Sequence, residues 1–247
     1  MASAKEHYDG HLGPIYSWMA GDFAALKTRS ADLFDRLGLE PGSSPRAVDL
    51  GAGHGAQSVA LAERGFEVFA IDFCRPLLEE LRHNARGLPV TPIEADLLEL
   101  DRHVPPPVGV VVCMGDTLTH LPTTDDVEGL IRQSAAVLAP GGMFVATFRD
   151  YVSRELRQEA RFIPVRSEDA RILTCFLEYS ESTVTVYDLV HERVDGGWRQ
   201  RLSSYRKLRL DPEWLERVCA EAGLRTIERE SSAGVITFVA VREPVGG

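Results

Sequence analysis

Asp49, Gly51, Gly53, Gly55 and Asp72 form the most chemically specific pattern in this chain. They lie in residues 47–73, AVDLGAGHGAQSVALAERGFEVFAIDF. Glycines at alternate positions permit a tight turn and let backbone approach a ligand closely. An acid about 20 residues beyond the first glycine is spaced to meet ribose hydroxyls. A carboxylate suits that task because it only accepts hydrogen bonds and can take two donors at once.

Two ligand classes fit such a turn. Gly51, Gly53 and Ala56 satisfy the dinucleotide pattern G-x-G-x-x-G/A, which is a weak signal by itself. Charge separates the classes better. Asp49 precedes the turn and the loop carries no Lys or Arg. A pyrophosphate gains nothing from an added carboxylate, whereas an adenosine bearing an ammonium and a sulfonium does. S-adenosylmethionine has that make-up.

The elements around these residues read as strand, turn, helix, strand. Val48 and Leu50 are apolar on either side of Asp49 in a short first strand, 58–64 have a helical pattern stopped by Gly65, and 66–71 form a second strand run ending at Asp72. Together they are half of a nucleotide-binding βαβ unit. Before it, 23–37 reads as an amphipathic helix stopped by Gly38. After it come a helix at 76–84, a strand at 90–94, a turn marked by Pro105 to Pro107, and a helix at 124–138. The fifth strand is expected at 143–148. Residues 171–179, 182–194 and 198–209 then read as three antiparallel strands, with Asp195-Gly196-Gly197 as a hairpin turn. A helix at 212–222 and a β pair at 225–229 and 235–241 close the chain.

Four motifs in this order resemble the class I S-adenosylmethionine-dependent methyltransferase family. They are D-L-G-A-G-H-G with its following acid, Glu94-Ala95-Asp96-Leu97 after the third strand, V-V-V-C-M-G-D at 110–116, and L-A-P-G-G-M-F at 138–144. A narrower resemblance is to glycine N-methyltransferase-like enzymes. It rests on C-M-G-D-T-L-T-H-L at 113–121, similar to that group's C-L-G-N-S-F-A-H-L, and on the insertion, similar to its lid. The resemblance implies an α/β fold: a Rossmann-like sheet with helices on both faces and an inserted antiparallel β lid. One domain is expected over 1–247, with a helical cap at 1–44, a donor-binding core at 45–150, the lid at 151–210, and a C-terminal helix and hairpin at 211–247.

Residue roles follow from the same resemblance. Gly51, Gly53 and Gly55 are expected at the donor's methionine end, with Asp49 facing its ammonium or capping the turn. Asp72 is expected on the ribose and Phe73 beside the adenine or in the core. Asp96 and Leu97 are expected on the adenine. Met114 and Gly115 are expected near the sulfonium. Asp116 stands where the glycine-methylating pattern has Asn. It could hold a cationic amine, accept a proton, or cap residues 117–120. His120 could order this loop or act as a base. Tyr16 and Trp18 belong to an aromatic cluster whose faces attract cations or anchor the first helix. Tyr8, Arg171, Tyr205 and Arg206 are candidates for the acceptor, and an Arg, Arg149 included, would clamp a carboxylate.

Composition bounds the partners. The formal charge is −10, from 37 acids and 27 bases, which argues against a nucleic-acid backbone as substrate. No apolar stretch approaches the roughly 20 residues a membrane span needs. Cys74, Cys113, Cys175 and Cys219 are scattered without a C-x-x-C pair, so reduced thiols, a cytoplasmic setting and no metal site are expected. His7 and His11 are four apart, but no acid or Cys completes a ligand set nearby, and both are expected to face solvent. The expectation is a methyltransferase producing S-adenosylhomocysteine, acting on a small molecule, with nitrogen preferred over sulfur or oxygen, as a monomer or homodimer. A donor-binding protein without turnover and a nicotinamide oxidoreductase are the alternatives.

Overall fold

Parallel strands alternate with helices through the first 149 residues, as the spacing of apolar runs requires. The computed structural model describes residues 2–243. Its main sheet has seven strands in the order β10-β11-β5-β4-β1-β2-β3. These are β1 (Arg46–Leu50), β2 (Glu67–Asp72), β3 (Val90–Glu94), β4 (Val108–Cys113), β5 (Leu138–Arg149), β10 (Leu224–Ser232) and β11 (Val235–Arg242). β1 to β5 pair parallel, and β11 joins β5 antiparallel with β10 outside it. Strand order reverses between β1 and β4. At such a switch point the loops after the strands part and leave a crevice for a ligand.

Both faces of this sheet are covered. Along β1, Ala47 joins one buried cluster and Val48 and Leu50 the other, as a pleated strand demands. On the Ala47 side lie α1 (Phe23–Arg36) through Phe34 and α2 (Ala56–Glu63) through Leu61. On the Val48 side lie α4 (Thr124–Val137) and α5 (Pro212–Glu221) through Leu130, Ile131 and Leu215. Between β2 and β3, α3 (Arg75–Asn84) buries Leu77, Leu78 and Leu81. Helix starts are capped as their sequences suggest: Asp22 accepts from Ala25 N at 2.7 Å, and Thr123 with Asp126 forms a reciprocal capping box. Among the described residues, no helix is long and apolar enough to cross a membrane.

The insertion is a separate antiparallel sheet of four strands, not three. They are β6 (Phe162–Glu168), β7 (Arg171–Tyr179), β8 (Thr183–Val194) and β9 (Gly197–Leu208). β6 escapes sequence pattern because Pro164 interrupts it. It is an edge strand with a bulge between Pro164 and Arg166, where a missing N–H is tolerated. Asp195 and Gly196, both at positive φ (51° and 79°), make the hairpin turn that sets the register of β8 on β9.

Short helical turns at Ala4–His7, Tyr8–Leu12, Gly13–Ile15 and Tyr16–Ala20 form the N-terminal cap. It is held to the inserted sheet through buried polar contacts. His7 Nε2 donates to Asp188 Oδ2 at 2.9 Å, its Nδ1 meets Ser203 Oγ at 2.8 Å, and its ring stacks on Tyr205. His11 Nε2 meets the Asp188 carbonyl at 2.9 Å. Both histidines are therefore buried, against the expectation that they face solvent. Their partners lie about 180 residues away in sequence, beyond any local pattern. All four cysteines are free thiols, and Cys175 bonds the other oxygen of Asp188.

Candidate functional site

A cavity of about 920 Å³ opens over the ends of β1, β2 and β4, beneath the N-terminal cap. Its first wall is the glycine turn. Gly51 and Gly53 line it, at φ +73° and +53°. A Cβ on Gly51 would collide with the Thr117 side chain, so the turn and the loop after β4 pack directly together. Gly55 does not line the cavity. It starts α2 at φ +93°, where a Cβ would strike Leu81 at 2.7 Å. Its need for glycine is a close helix approach rather than a ligand.

Asp72 does line the cavity, at the end of β2. Its carboxylate accepts from Gly53 N at 2.8 Å and Cys74 N at 2.7 Å. It thus ties β2 to the glycine turn and keeps lone pairs for a ligand. Burial pushes its carboxyl up from the ordinary range, against these two N–H donors. Asp49 is placed behind the turn. Strand alternation sends its side chain toward α2, where it accepts from Ser58 Oγ at 2.6 Å, and burial pushes it up to about 7. It is not among the cavity-lining residues.

Beyond β3 the wall carries Glu94, Asp96 and Leu97. Asp96 also accepts from Leu98 N at 3.0 Å, so its turn-capping and cavity-lining positions coexist. Phe73 lines the same end, with the Tyr8 ring edge-on to it at 6.0 Å and Lys5 Nζ over its face. Tyr8 and Tyr16 close the cavity from the cap. Burial pushes Tyr16 up to about 12, so it stays a neutral phenol. Trp18 does not line this cavity. It turns to the insertion, where Arg166 and Arg171 lie over its ring at 5.6 and 5.1 Å. Arg171 is thereby also outside the cavity, paired with Glu192.

The far end is built on the loop after β4. Met114, Gly115 and Asp116 line it. Asp116 sits at φ +78° and precedes the turn at Thr117–His120, but its side chain does not cap that turn. It accepts from Arg149 N at 2.9 Å, from Tyr151 Oη at 3.2 Å, and from Lys207 Nζ at 2.5 Å. Burial alone would raise its carboxyl; the Lys207 charge and the Arg149 N–H outweigh that and hold it below the usual range. His120 lines the cavity beside Tyr8, and its buried Nε2 has no hydrogen-bond partner. Burial, reinforced by the Lys207 charge, pulls it down to about 3, so its ring is uncharged at neutral pH. The Arg149 side chain also lines this end and makes no ion pair among the described residues.

Tyr205 is buried between His7 and His120 rather than in the lining. Arg206 is exposed and points away from the site. On a strand, residues 205 and 207 share a face and 206 takes the other. Lys207 therefore reaches the site where Arg206 does not. The sequence pattern alone assigns Lys207 no role. The available signal was its parity with Tyr205. Among the described residues, no group of acids, His and Cys could hold a metal ion.

Residues 47–142 match the family model described as methyltransferase domain. Glycine N-methyltransferase of Oryctolagus cuniculus is 31% identical over 165 residues, covering 59% of this chain and 54% of that protein. Glycine/sarcosine N-methyltransferase of Parasynechococcus marenigrum (strain WH8102) is 30% identical over 132 residues, covering 53% and 46%. The chain thus spans about half the length of these curated relatives. The structure of the CcbJ methyltransferase from Streptomyces caelestis aligns with a TM-score of 0.79 at 24% identity, covering 96% of this chain and 98% of that one. CalS10, an amino pentose methyltransferase from Micromonospora echinaspora solved with S-adenosylmethionine bound, aligns at 0.76 and 20%, covering 94% and 97%. The Rossmann-like methyltransferase fold expected from the four motifs is the fold observed, with the antiparallel sheet added to it.

Proposed function

We propose that this chain is a class I S-adenosylmethionine-dependent methyltransferase and that its acceptor is a nitrogen on a small molecule. The reading is carried by one cavity that runs from Asp72 and Asp96 at one end to Asp116, His120 and Arg149 at the other. The residues present fit the donor. Acceptor-only carboxylates at Asp72, Glu94 and Asp96 suit a ribose and an adenine amino group. Phe73 and Leu97 offer apolar faces to the base, and the turn at Gly51 and Gly53 brings no cation to a ligand that is itself positive.

Bound there, the donor supplies an activated methyl group on a positive sulfur, which leaves with the electrons of the broken C–S bond as a neutral thioether. The protein's own task is to align an acceptor and exclude water. Tyr8, Leu121 and Phe148 close the cavity with bulky apolar surface. An amine that enters uncharged brings its own lone pair. The His120 ring accepts one of its N–H groups and so orients that lone pair. Asp116 is a poor proton acceptor, because the Lys207 charge and the Arg149 N–H hold its carboxyl below the usual range. The methylated amine departs as an ammonium and loses its proton to water.

Two things favour nitrogen. The relatives are named for methylating glycine, sarcosine or an amino pentose, and the imidazole at the far end is uncharged at neutral pH. Arg149 offers a clamp for a carboxylate, which puts amino acids first among acceptors. The chain's net charge of −10 favours small molecules over nucleic acid.

The test combines calorimetry with adenosylhomocysteine and a labelled-donor assay over amines, thiols and phenols. Tight binding and methyl transfer to amines are expected. No adenosylhomocysteine binding ends the donor reading. Transfer only to thiols or phenols ends the nitrogen reading, and binding without turnover across the panel would favour a protein that senses the donor.

A further inference from the structure

The inserted sheet turns one face to the cap and leaves the other bare. On the inner face Leu173 and Val190 are buried against Leu12 and Ile15 of the cap. The outer face takes the alternate positions of each strand. One row of it runs Phe162, Phe176, Tyr187, Ser204 from β6 to β9, and the next runs Pro164, Thr174, Leu189, Leu202. In the first row the rings form a cross-strand ladder, with centroids 4.6 Å apart for Phe162 and Phe176 and 5.8 Å apart for Phe176 and Tyr187. Further along β9, Trp198 shares the face with Leu202. Phe162 is 58% exposed, Leu202 59% and Trp198 48%. Even Phe176 and Leu189, on the two central strands, stay part-exposed, so among the described residues nothing covers this face. Single exposed apolar side chains are ordinary, but a contiguous patch marks a contact surface.

The edges of the same sheet are guarded against pairing. Pro164 and a bulge interrupt β6, and on β9 the Ser204 carbonyl accepts from Ala2 N at 3.1 Å. The face carries no such guard. Its charged residues, Glu178, Arg193 and Arg206, stand toward the strand ends and leave an aromatic and aliphatic middle. An apolar centre rich in aromatic residues inside a polar rim is the composition of a protein–protein interface.

We propose that this face pairs with the same face of a second copy of the chain, as a two-fold dimer of sheets. The rows suit that symmetry, which is the commonest among oligomers. A two-fold axis along the strands, between β7 and β8, lays each row on itself in reverse order. Phe162 then meets Ser204 of the other copy, and Phe176 meets its Tyr187. Pro164 meets Leu202, and Thr174 meets Leu189. Large side chains thus face small ones, apart from the central aromatic pair. At the rim, Glu178 comes over Thr185, whose sheet neighbour is Arg206, so an acid lies beside a base. Four strands about 4.8 Å apart and roughly seven residues long make a face roughly 20 Å on a side. With its half-exposed rings, such a face offers roughly 600–800 Å² per copy, the share of a standard-sized interface. Pairing would also steady the sheet whose inner side, through Asp188 and Ser203, holds the cap over the cavity.

Sedimentation velocity on the whole chain tests this. The parent protein at micromolar concentration should have twice the chain mass of 27.3 kDa. Phe162→Glu with Leu202→Glu should reduce it to a single chain while circular dichroism stays that of the parent. A milder pair, Trp198→Ser with Leu202→Ser, covers the case in which the acidic pair does not fold, and should weaken association by about tenfold or more. Ile227→Glu, at an exposed apolar residue of β10 in the main sheet, should leave the dimer intact. A parent that sediments as a single chain overturns the proposal. So does a folded Phe162→Glu, Leu202→Glu variant that keeps twice the chain mass, or a dimer that Ile227→Glu dissociates, since either places the contact elsewhere.

Discussion

The two ends of the cavity are built on different principles. The end proposed for the donor is assembled from consecutive strand ends and their turns, between Gly51 and Leu97, and its Asp72 is fixed by backbone N–H groups of Gly53 and Cys74. The end proposed for the acceptor draws on the loop after β4, the end of β5, the cap and the inserted sheet, and its Asp116 is fixed by a lysine from β9. Backbone donors hold a carboxylate wherever the turn forms. A side-chain cation holds it only if a distant element docks. The donor end is thus a local property of the chain and the acceptor end a tertiary one.

The largest break in that comparison should come from Lys207→Met. Stranding Asp116 as an unpaired buried charge should cost about 3–5 kcal/mol of stability, read by denaturant unfolding. Adding Asp116→Asn should recover most of it.

Next in size is a pH effect of opposite sign at the two ends. Asp49, with its folded value raised to about 7, holds a proton that the unfolded chain releases above about pH 4. Its contribution therefore falls as pH rises from about 4 to 7. His120, at about 3 when folded, stays neutral where the unfolded chain takes a proton, so its contribution falls as pH drops below about 6.5. Unfolding of Asp49→Asn relative to the parent should shift by up to about 4 kcal/mol across pH 4 to 7, in favour of the variant at the upper end. His120→Gln should show the reverse trend, gaining on the parent as pH falls.

At the donor end, Asp72→Ala should weaken adenosylhomocysteine by about 100-fold, or about 3 kcal/mol, by loss of two hydrogen bonds to a charged group. Calorimetry with unchanged affinity would remove Asp72 from the donor site. The smallest effects separate neighbouring glycines. Gly51→Ala should cost about 1–3 kcal/mol, because its Cβ meets Thr117 as well as adopting positive φ. Gly53→Ala, with its Cβ in ordinary contact with Tyr16 at 3.7 Å, should cost about 1 kcal/mol from φ alone.

This division also explains what the amino-acid pattern revealed. Strand ends, the glycine turn, Asp72, Asp96 and the loop at Met114 to Asp116 were legible because turn chemistry and acid spacing act within a few tens of residues. Trp18 was misplaced because aromatic attraction to cations does not say which cation. The cap holds it against Arg166 and Arg171 rather than toward the cavity. His7 and His11 looked solvent-facing because Asp188 and Ser203 arrive only when β8 and β9 dock. Lys207 and Arg206 differ by one position, and only the register set at Asp195 and Gly196 decides which turns inward.

The thiols give this architecture a clock. Burial holds Cys74 up at about 11 and raises Cys113 and Cys175 further, so alkylating reagents find almost no thiolate while the chain is folded. Cys175 is bonded to the acid that grips the cap, whereas Cys113 lies in the centre of the main sheet. Their labelling rates time two events separately, detachment of the cap from the inserted sheet and melting of the whole fold.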